Sequence, residues 1–146
     1  MIALDTNILV YAHRRDSEFF GPASAAIRGL AESSGSWAIP WPCAHEFLAI
    51  TTHPAIFKPP TSMESALKQV EIWMESPGLR LIGEPATYWS AIAEIMRRGK
   101  IAGPRVHDAR IAAICAANGV RELWSADRDF SRMGGVKVRN PLLTPH

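Results

Sequence analysis

Asp5 is where an apolar run stops: Met1-Ile2-Ala3-Leu4 ends abruptly on it, Thr6-Asn7 follow, and a second apolar stretch, Ile8-Leu9-Val10-Tyr11-Ala12, begins. A short hydrophobic run bounded by polar residues reads as a buried strand. The helical spacing beyond it reads as a helix entered through Asp5 or Asn7 as cap. A chain that passes straight from strand to helix is steered toward α/β architectures, whose ligands bind beyond the carboxyl ends of the strands. An acid and an amide two residues apart at that place suit chemistry. They would serve equally as an ordinary helix cap worth about 1 kcal/mol, so other segments must decide.

The remaining chain repeats the alternation. Phe19, Phe20, Ala23, Ala26, Ile27 and Leu30 predict an amphipathic helix over about Asp16 to Glu32, ended by Ser33-Ser34-Gly35. Trp37-Ala38-Ile39 predicts a strand, and Pro42 opens a helix carrying Glu46, Phe47, Leu48 and Ile50 that closes near His53-Pro54. After a proline-rich loop, Met63, Ala66, Leu67, Val70, Trp73 and Met74 form a helical stripe, read as core or as dimer surface. Leu79 to Ile82 is the next strand, followed by a helix with Trp89, Ile92, Ala93 and Met96 inward. Pro104 opens a helix to about Asn118, with Gly119 its left-handed stop; Glu122-Leu123-Trp124 is a strand, Asp127 to Arg132 a helical turn, and Val136-Lys137-Val138 an edge strand. Alternating strands and helices imply a mostly parallel sheet covered on both faces, and 146 residues without a linker imply one α/β domain spanning 1–146.

Composition narrows the class. No apolar stretch approaches the roughly 20 residues that cross a bilayer, and the first residues read as a strand where a leader would need a basic segment; a cytoplasmic protein is expected. Cys43 and Cys115 lack a second ligand pair at metal spacing, and Cys43 with His45 is half a site at most, so both read as buried thiols. The net charge is +2, but arginine outnumbers lysine twelve to four and eight of the arginines lie from Arg97 onward. The guanidinium fork suits phosphate, so this basic half is compatible with nucleic acid; a solvated surface would look the same.

Aspartate is scarce, five residues against nine glutamates, and Asp5, Asp108, Asp127 and Asp129 all lie beside a predicted strand end or helix start. Asp108 is the most telling, because Ile111, Ala112 and Cys115 continue its own helical face as an apolar stripe. A carboxylate there carries a large desolvation cost unless something compensates it, such as an ion pair with Arg105 or Arg110. Asp127 could cap the last helical turn, and Glu46 has the weakest local case, since glutamate is common on helix surfaces. Two carboxylates about 4 Å apart repel by roughly 4 kcal/mol at an effective dielectric near 20. Protons or cations must relieve such crowding, and donors that are all oxygen select a hard ion, Mg²⁺ or Mn²⁺.

Four segments together resemble the PIN-domain ribonucleases, specifically the VapC-like toxins of toxin–antitoxin pairs: Leu4-Asp5-Thr6-Asn7, His45-Glu46-Phe47-Leu48, His107-Asp108-Ala109-Arg110-Ile111-Ala112 and Trp124-Ser125-Ala126-Asp127-Arg128-Asp129-Phe130. The resemblance spans nearly the whole chain and implies a three-layer sandwich with a central, mostly parallel sheet. It maps the family's four carboxylates onto Asp5, Glu46, Asp108 and Asp127, as catalytic residues and metal ligands. Asn7 and Ser125 match polar positions of the same pocket; the family usually has threonine in place of Ser125. Asp129 is an additional acid, at the rim or as a cap. The implied activity is Mg²⁺- or Mn²⁺-dependent cleavage of structured RNA (transfer or ribosomal) by metal-activated water, leaving a 5′ phosphate and a 3′ hydroxyl. Arg14, Arg15 and Arg128 are candidates to hold the RNA backbone. A homodimer and a cognate antitoxin are implied as well.

Two rivals are weighed. A haloacid-dehalogenase-like phosphatase also starts with a strand ending in aspartate, but it wants a second aspartate where Asn7 stands. A non-catalytic RNA- or protein-binding domain would use these acids only as caps.

Overall fold

Five short strands lie parallel in one sheet: β1 (Ile2–Leu4), β2 (Trp37–Pro40), β3 (Leu79–Ile82), β4 (Glu122–Trp124) and β5 (Lys137–Arg139), in the order β3-β2-β1-β4-β5. The computed structural model describes residues 1–143, the side chains of residues 131 and 132 apart. Ile2 is in register with Trp37 on one side and Glu122 on the other. Ala3, Leu4, Trp37, Ala38 and Leu123 are wholly buried, as parallel strands covered on both faces require.

Among the described residues six α-helices cover the sheet: α1 (Thr6–His13), α2 (Phe20–Glu32), α3 (Trp41–Thr51), α4 (Met63–Met74), α5 (Tyr88–Gly99) and α6 (Val106–Ala117). The helices α1 and α2, α1 and α3, and α3 and α4 pack in pairs, while α5 packs on α6. This is the three-layer α/β sandwich expected from the pattern. Among the described residues no helix is long and apolar enough to cross a membrane.

The topology determines where chemistry can gather. The chain builds outward from β1 through β2 to β3, then returns to the other side of β1 for β4 and β5. The reversal at β1 opens a crevice at the carboxyl edge, the place where such sheets take ligands. Helices α1 and α3 begin directly at the ends of β1 and β2. Helix α6 runs back toward the start of β4, so its first turn also lies at the carboxyl edge.

Local chemistry explains most boundaries. Pro42 sits in the first turn of α3, where its missing N–H costs nothing, and Gly119 beyond α6 has φ +69°, a backbone that favours glycine. Of the two caps expected for α1, Asp5 is the one, its carboxylate accepting from the Thr6 N–H, while Asn7 lies inside the helix. Two expectations need correcting. The helix expected from Asp16 starts only at Phe20. Trp89 is not inward but 75 % exposed: α5 turns Ile92 and Ile95 toward the core, a face rotated by about one residue from the predicted one. The apolar stripe of α4 is divided, with Ala66, Val70 and Trp73 buried and Met63, Leu67 and Met74 exposed.

Candidate active site

A hollow of about 330 Å³ opens at the carboxyl edge, lined by Asp5, Thr6, Asn7, Glu46, Asp108 and Asp127 with an apolar wall of Val10, Tyr11, Ile50, Phe57, Ile111 and Phe130. The four carboxylates singled out in the sequence come from the end of β1, the middle of α3, the first turn of α6 and the turn after β4. They face one space.

Asp5 is the buried member, 5 % exposed. Its backbone N–H donates to the Trp124 carbonyl at 2.9 Å, which pins the residue to the end of β4. Donors surround its side chain. The Thr6 N–H reaches Oδ1 at 2.8 Å and the Ser125 hydroxyl reaches Oδ2 at 2.7 Å. Asn7 Nδ2 adds a longer contact to Oδ2 at 3.4 Å, and the Cys43 thiol one to Oδ1 at 3.7 Å. Burial nevertheless outweighs these donors and, with the negative charges of Glu46 and Asp108, pushes the Asp5 carboxyl up to about 6. An acid held this way is short of positive charge.

Asp108 is shifted upward too, first by burial and then by the charges of Asp127 and Glu46. The ion-pair alternative does not hold: Arg110 donates to Glu84 at 3.0 Å, and among the described residues no arginine bridges Asp108, although the charge of Arg105 acts on it in the opposite direction. Asp127 does cap the turn after β4, accepting from the Asp129 N–H at 2.9 Å, while also lining the hollow. Capping and site membership coexist.

Asn7, which lines the hollow, and Ser125 form a hydrogen-bonded pair. Asn7 accepts from the Ala126 N–H at 3.1 Å and donates to Ser125 Oγ at 3.2 Å; Ser125 Oγ in turn accepts from the Asp127 N–H at 3.0 Å. The pair thus staples the β4 turn, and with it Asp127, to Asp5. An asparagine spent on this staple does not supply the proton-transfer group that a phosphatase of the rival type wants.

The outlying candidates separate. Asp129 is exposed and not among the residues lining the hollow, but its charge acts on Asp108. Arg14 is committed to the fold: it donates to Asp16 at 2.6 Å and to the Pro59 carbonyl at 3.0 Å, and lies 4.3 Å from the centre of the Phe57 ring. Arg15 is exposed beside Phe20, and Arg128 is exposed one residue past Asp127. Both cysteines are buried free thiols, as expected. Burial, together with the charge of Asp5, pushes Cys115 up to about 12 and holds Cys43 well above the ordinary thiol range. Neither has the character of a reactive thiolate.

Sequence reasoning missed Thr6 and Cys43. Thr6 Oγ1 donates to Glu46 Oε2 at 3.1 Å, a contact across forty positions that local spacing does not reveal. Cys43 left a faint signal, standing three positions before Glu46 on α3.

The donor set bears on which cation could be held. Every polar side chain at the floor of the hollow presents oxygen, apart from the Asn7 amide nitrogen already engaged with Ser125 and Asp5. Among the described residues no three His, Cys, Asp or Glu side chains stand close enough to enclose one bare ion. Repulsion keeps such carboxylates apart, and a hard ion of the Mg²⁺ type usually keeps several waters and takes only one or two of them directly. An open, all-oxygen hollow around an acid raised to about 6 fits a hydrated hard cation.

Comparison with known proteins gives the family. The PIN domain family pattern matches residues 2–136, and the chain belongs to that family. It is 30% identical over 137 residues, covering 94% of each chain, to ribonuclease VapC48 of Mycobacterium tuberculosis. To ribonuclease VapC43 of the same organism it is 28% identical over 142 residues, covering 97% of this chain and 96% of the relative. Among solved structures it resembles VapBC2 from Rickettsia felis bound to a DNA fragment from their promoter, with TM-score 0.70, 20% identity and coverage of 96% and 98%. It also resembles VapC20 of Mycobacterium tuberculosis, a Sarcin-Ricin loop cleaving toxin, with TM-score 0.68, 19% identity and coverage of 95% and 99%. At these identities the structural likeness establishes the fold alone.

Proposed function

We propose that this chain is an endoribonuclease, the toxin of a toxin–antitoxin pair, which cuts structured RNA with the help of Mg²⁺ or Mn²⁺. The observation that carries the reading is the meeting of Asp5, Glu46, Asp108 and Asp127 around one hollow. The ribonuclease relatives supply the reaction class, and the toxin–antitoxin complex among the structural neighbours supplies the kind of partner.

In this reading 1–146 acts as a single nuclease domain. Asp5 and Asp108 are the principal cation ligands, with Glu46 and Asp127 as ligand or proton acceptor. When bound, the cation supplies Lewis-acid activation and charge neutralisation at the scissile phosphate. The protein's own part is positioning. Ser125 and the Thr6 N–H orient the Asp5 oxygens, and Asn7 fixes the turn that presents Asp127. Arg15 and Arg128 hold the RNA backbone, with Asp129 at the rim. Arg14 leaves this role because its guanidinium is already engaged. Homodimer formation and antitoxin binding draw on exposed apolar residues of α4 such as Met63 and Leu67.

The test incubates the protein with transfer RNA and ribosomal RNA, with Mg²⁺ or with chelator, and sequences the 5′ ends produced. Site-specific cuts bearing 5′ phosphates, present only with the divalent ion, are expected. The Asp5→Ala variant should bind the same RNA without cutting it. Turnover of a small phosphomonoester while RNA stays intact would return the phosphatase reading to first place. RNA binding by wild type without any cleavage would favour the non-catalytic one.

A further inference from the structure

Thr6 touches both halves of the acidic site. Its backbone N–H donates to Asp5 Oδ1 at 2.8 Å, and its hydroxyl donates to Glu46 Oε2 at 3.1 Å. The residue itself is 5 % exposed, and its side chain also meets the buried Cys43 thiol, one helical turn before Glu46 on α3. Glu46, by contrast, belongs to an exposed residue on α3, with three side-chain torsions to fix. Left to itself such a side chain samples solvent. We infer that Thr6 is the positioning residue for Glu46: its hydroxyl selects the rotamer that turns the Glu46 carboxylate into the hollow, while its backbone fixes Asp5.

The inference deepens the nuclease reading and rests on it, because it gives Thr6 a part in the same site. It differs from ordinary capping. Capping of α1 needs the Asp5 carboxylate and the Thr6 N–H, and any residue at position 6 other than proline provides that N–H. Only the hydroxyl reaches α3. Sequence separation makes the contact informative, since forty positions lie between donor and acceptor: Thr6 opens α1 at the end of β1, and Glu46 stands in the middle of α3.

Thr6→Val removes the hydroxyl while keeping shape and backbone N–H; Thr6→Ser keeps the hydroxyl. A hydrogen bond to a charged group corresponds to about a 10- to 100-fold effect. Thr6→Val should therefore lose about 10- to 100-fold in kcat at unchanged KM for RNA. Its melting temperature should change little, because Glu46 is exposed and water can replace the lost donor to its carboxylate. Thr6→Ser should recover activity to within about threefold of wild type. Combined with Glu46→Gln, Thr6→Val should add little, since both act through one carboxylate. Wild type, Thr6→Val, Glu46→Gln and their combination, titrated with Mn²⁺ and followed by electron paramagnetic resonance, read the coupling without any cleavage.

Wild-type kcat and Mn²⁺ affinity in Thr6→Val would overturn the inference while leaving the nuclease reading intact, provided Glu46→Gln is impaired. A Thr6→Val deficit that persists in full on the Glu46→Gln background would overturn it as well. If Glu46→Gln itself matches wild type in both readouts, Glu46 has no part in the site, and its assignment and this inference fall together.

Discussion

Asp108→Asn is expected to lower RNA cleavage by roughly a thousand-fold without reducing the stability of the metal-free protein. The catalytic part follows from its place in the hollow: a lost carboxylate removes several kcal/mol of charge stabilisation, about 4 kcal/mol for that factor. The stability part follows from its surroundings. Burial and the charges of Asp127 and Glu46 both disfavour the ionised form, and no arginine among the described residues bridges it. Removing the charge relieves repulsion while the side chain keeps its size. Parallel measurements of kcat and of urea unfolding in chelator check both halves. Marked destabilisation would show that Asp108 serves the fold through an attraction, and its assignment as ligand would be withdrawn.

Metal-free stability should also fall as pH rises from about 4 to about 6. The Asp5 carboxyl is raised from 3.8 to about 6, so between these values the folded chain holds a proton that the unfolded chain has released. Folding is therefore favoured most below the unfolded value, and the advantage is lost as pH passes through the folded one. At 1.36 kcal/mol per unit the difference amounts to about 3 kcal/mol. Asp108, shifted in the same direction, adds to the slope. Asp16, held below its ordinary value by Arg14, acts in the opposite sense and belongs to lower pH. Comparison with Asp5→Asn isolates the Asp5 contribution, since the variant should lack this component of the slope. Chemical unfolding at several pH values in chelator gives the curve. A wild type that grows more stable across this range relative to Asp5→Asn would mean that the donors around Asp5 outweigh its burial.

Much of this arrangement could be read from the chain because the acids stand at places the strand–helix pattern marks. Asp5 ends the first apolar run, Asp127 follows the strand through Trp124, and Asp108 continues the apolar face of α6. Each is conspicuous locally. Glu46 is not: on an exposed helical position it looks like any surface glutamate, and only the resemblance drew it into the set. The hydrogen bonds that organise the site stayed hidden for a related reason. Ser125 to Asp5, Thr6 to Glu46 and Asn7 to Ala126 all join residues far apart in sequence, and periodicity speaks only of neighbours within a turn or two. Trp89 shows the same limit in the core, where the choice between two adjacent helical faces of α5 depends on its packing against α6. Arg14 carried a local hint, with Asp16 two positions on, but its anchor at Pro59 came only with the fold.

The proposed site depends on a cation drawing together negative oxygens that otherwise repel. An anomalous difference map from a crystal grown with Mn²⁺ tests that most directly. A peak in the hollow between β1 and α6, with an oxygen of Asp5 as a direct ligand, is the predicted result. Saturating Mn²⁺ with no peak there, or a peak only on acids elsewhere on the surface, would contradict it.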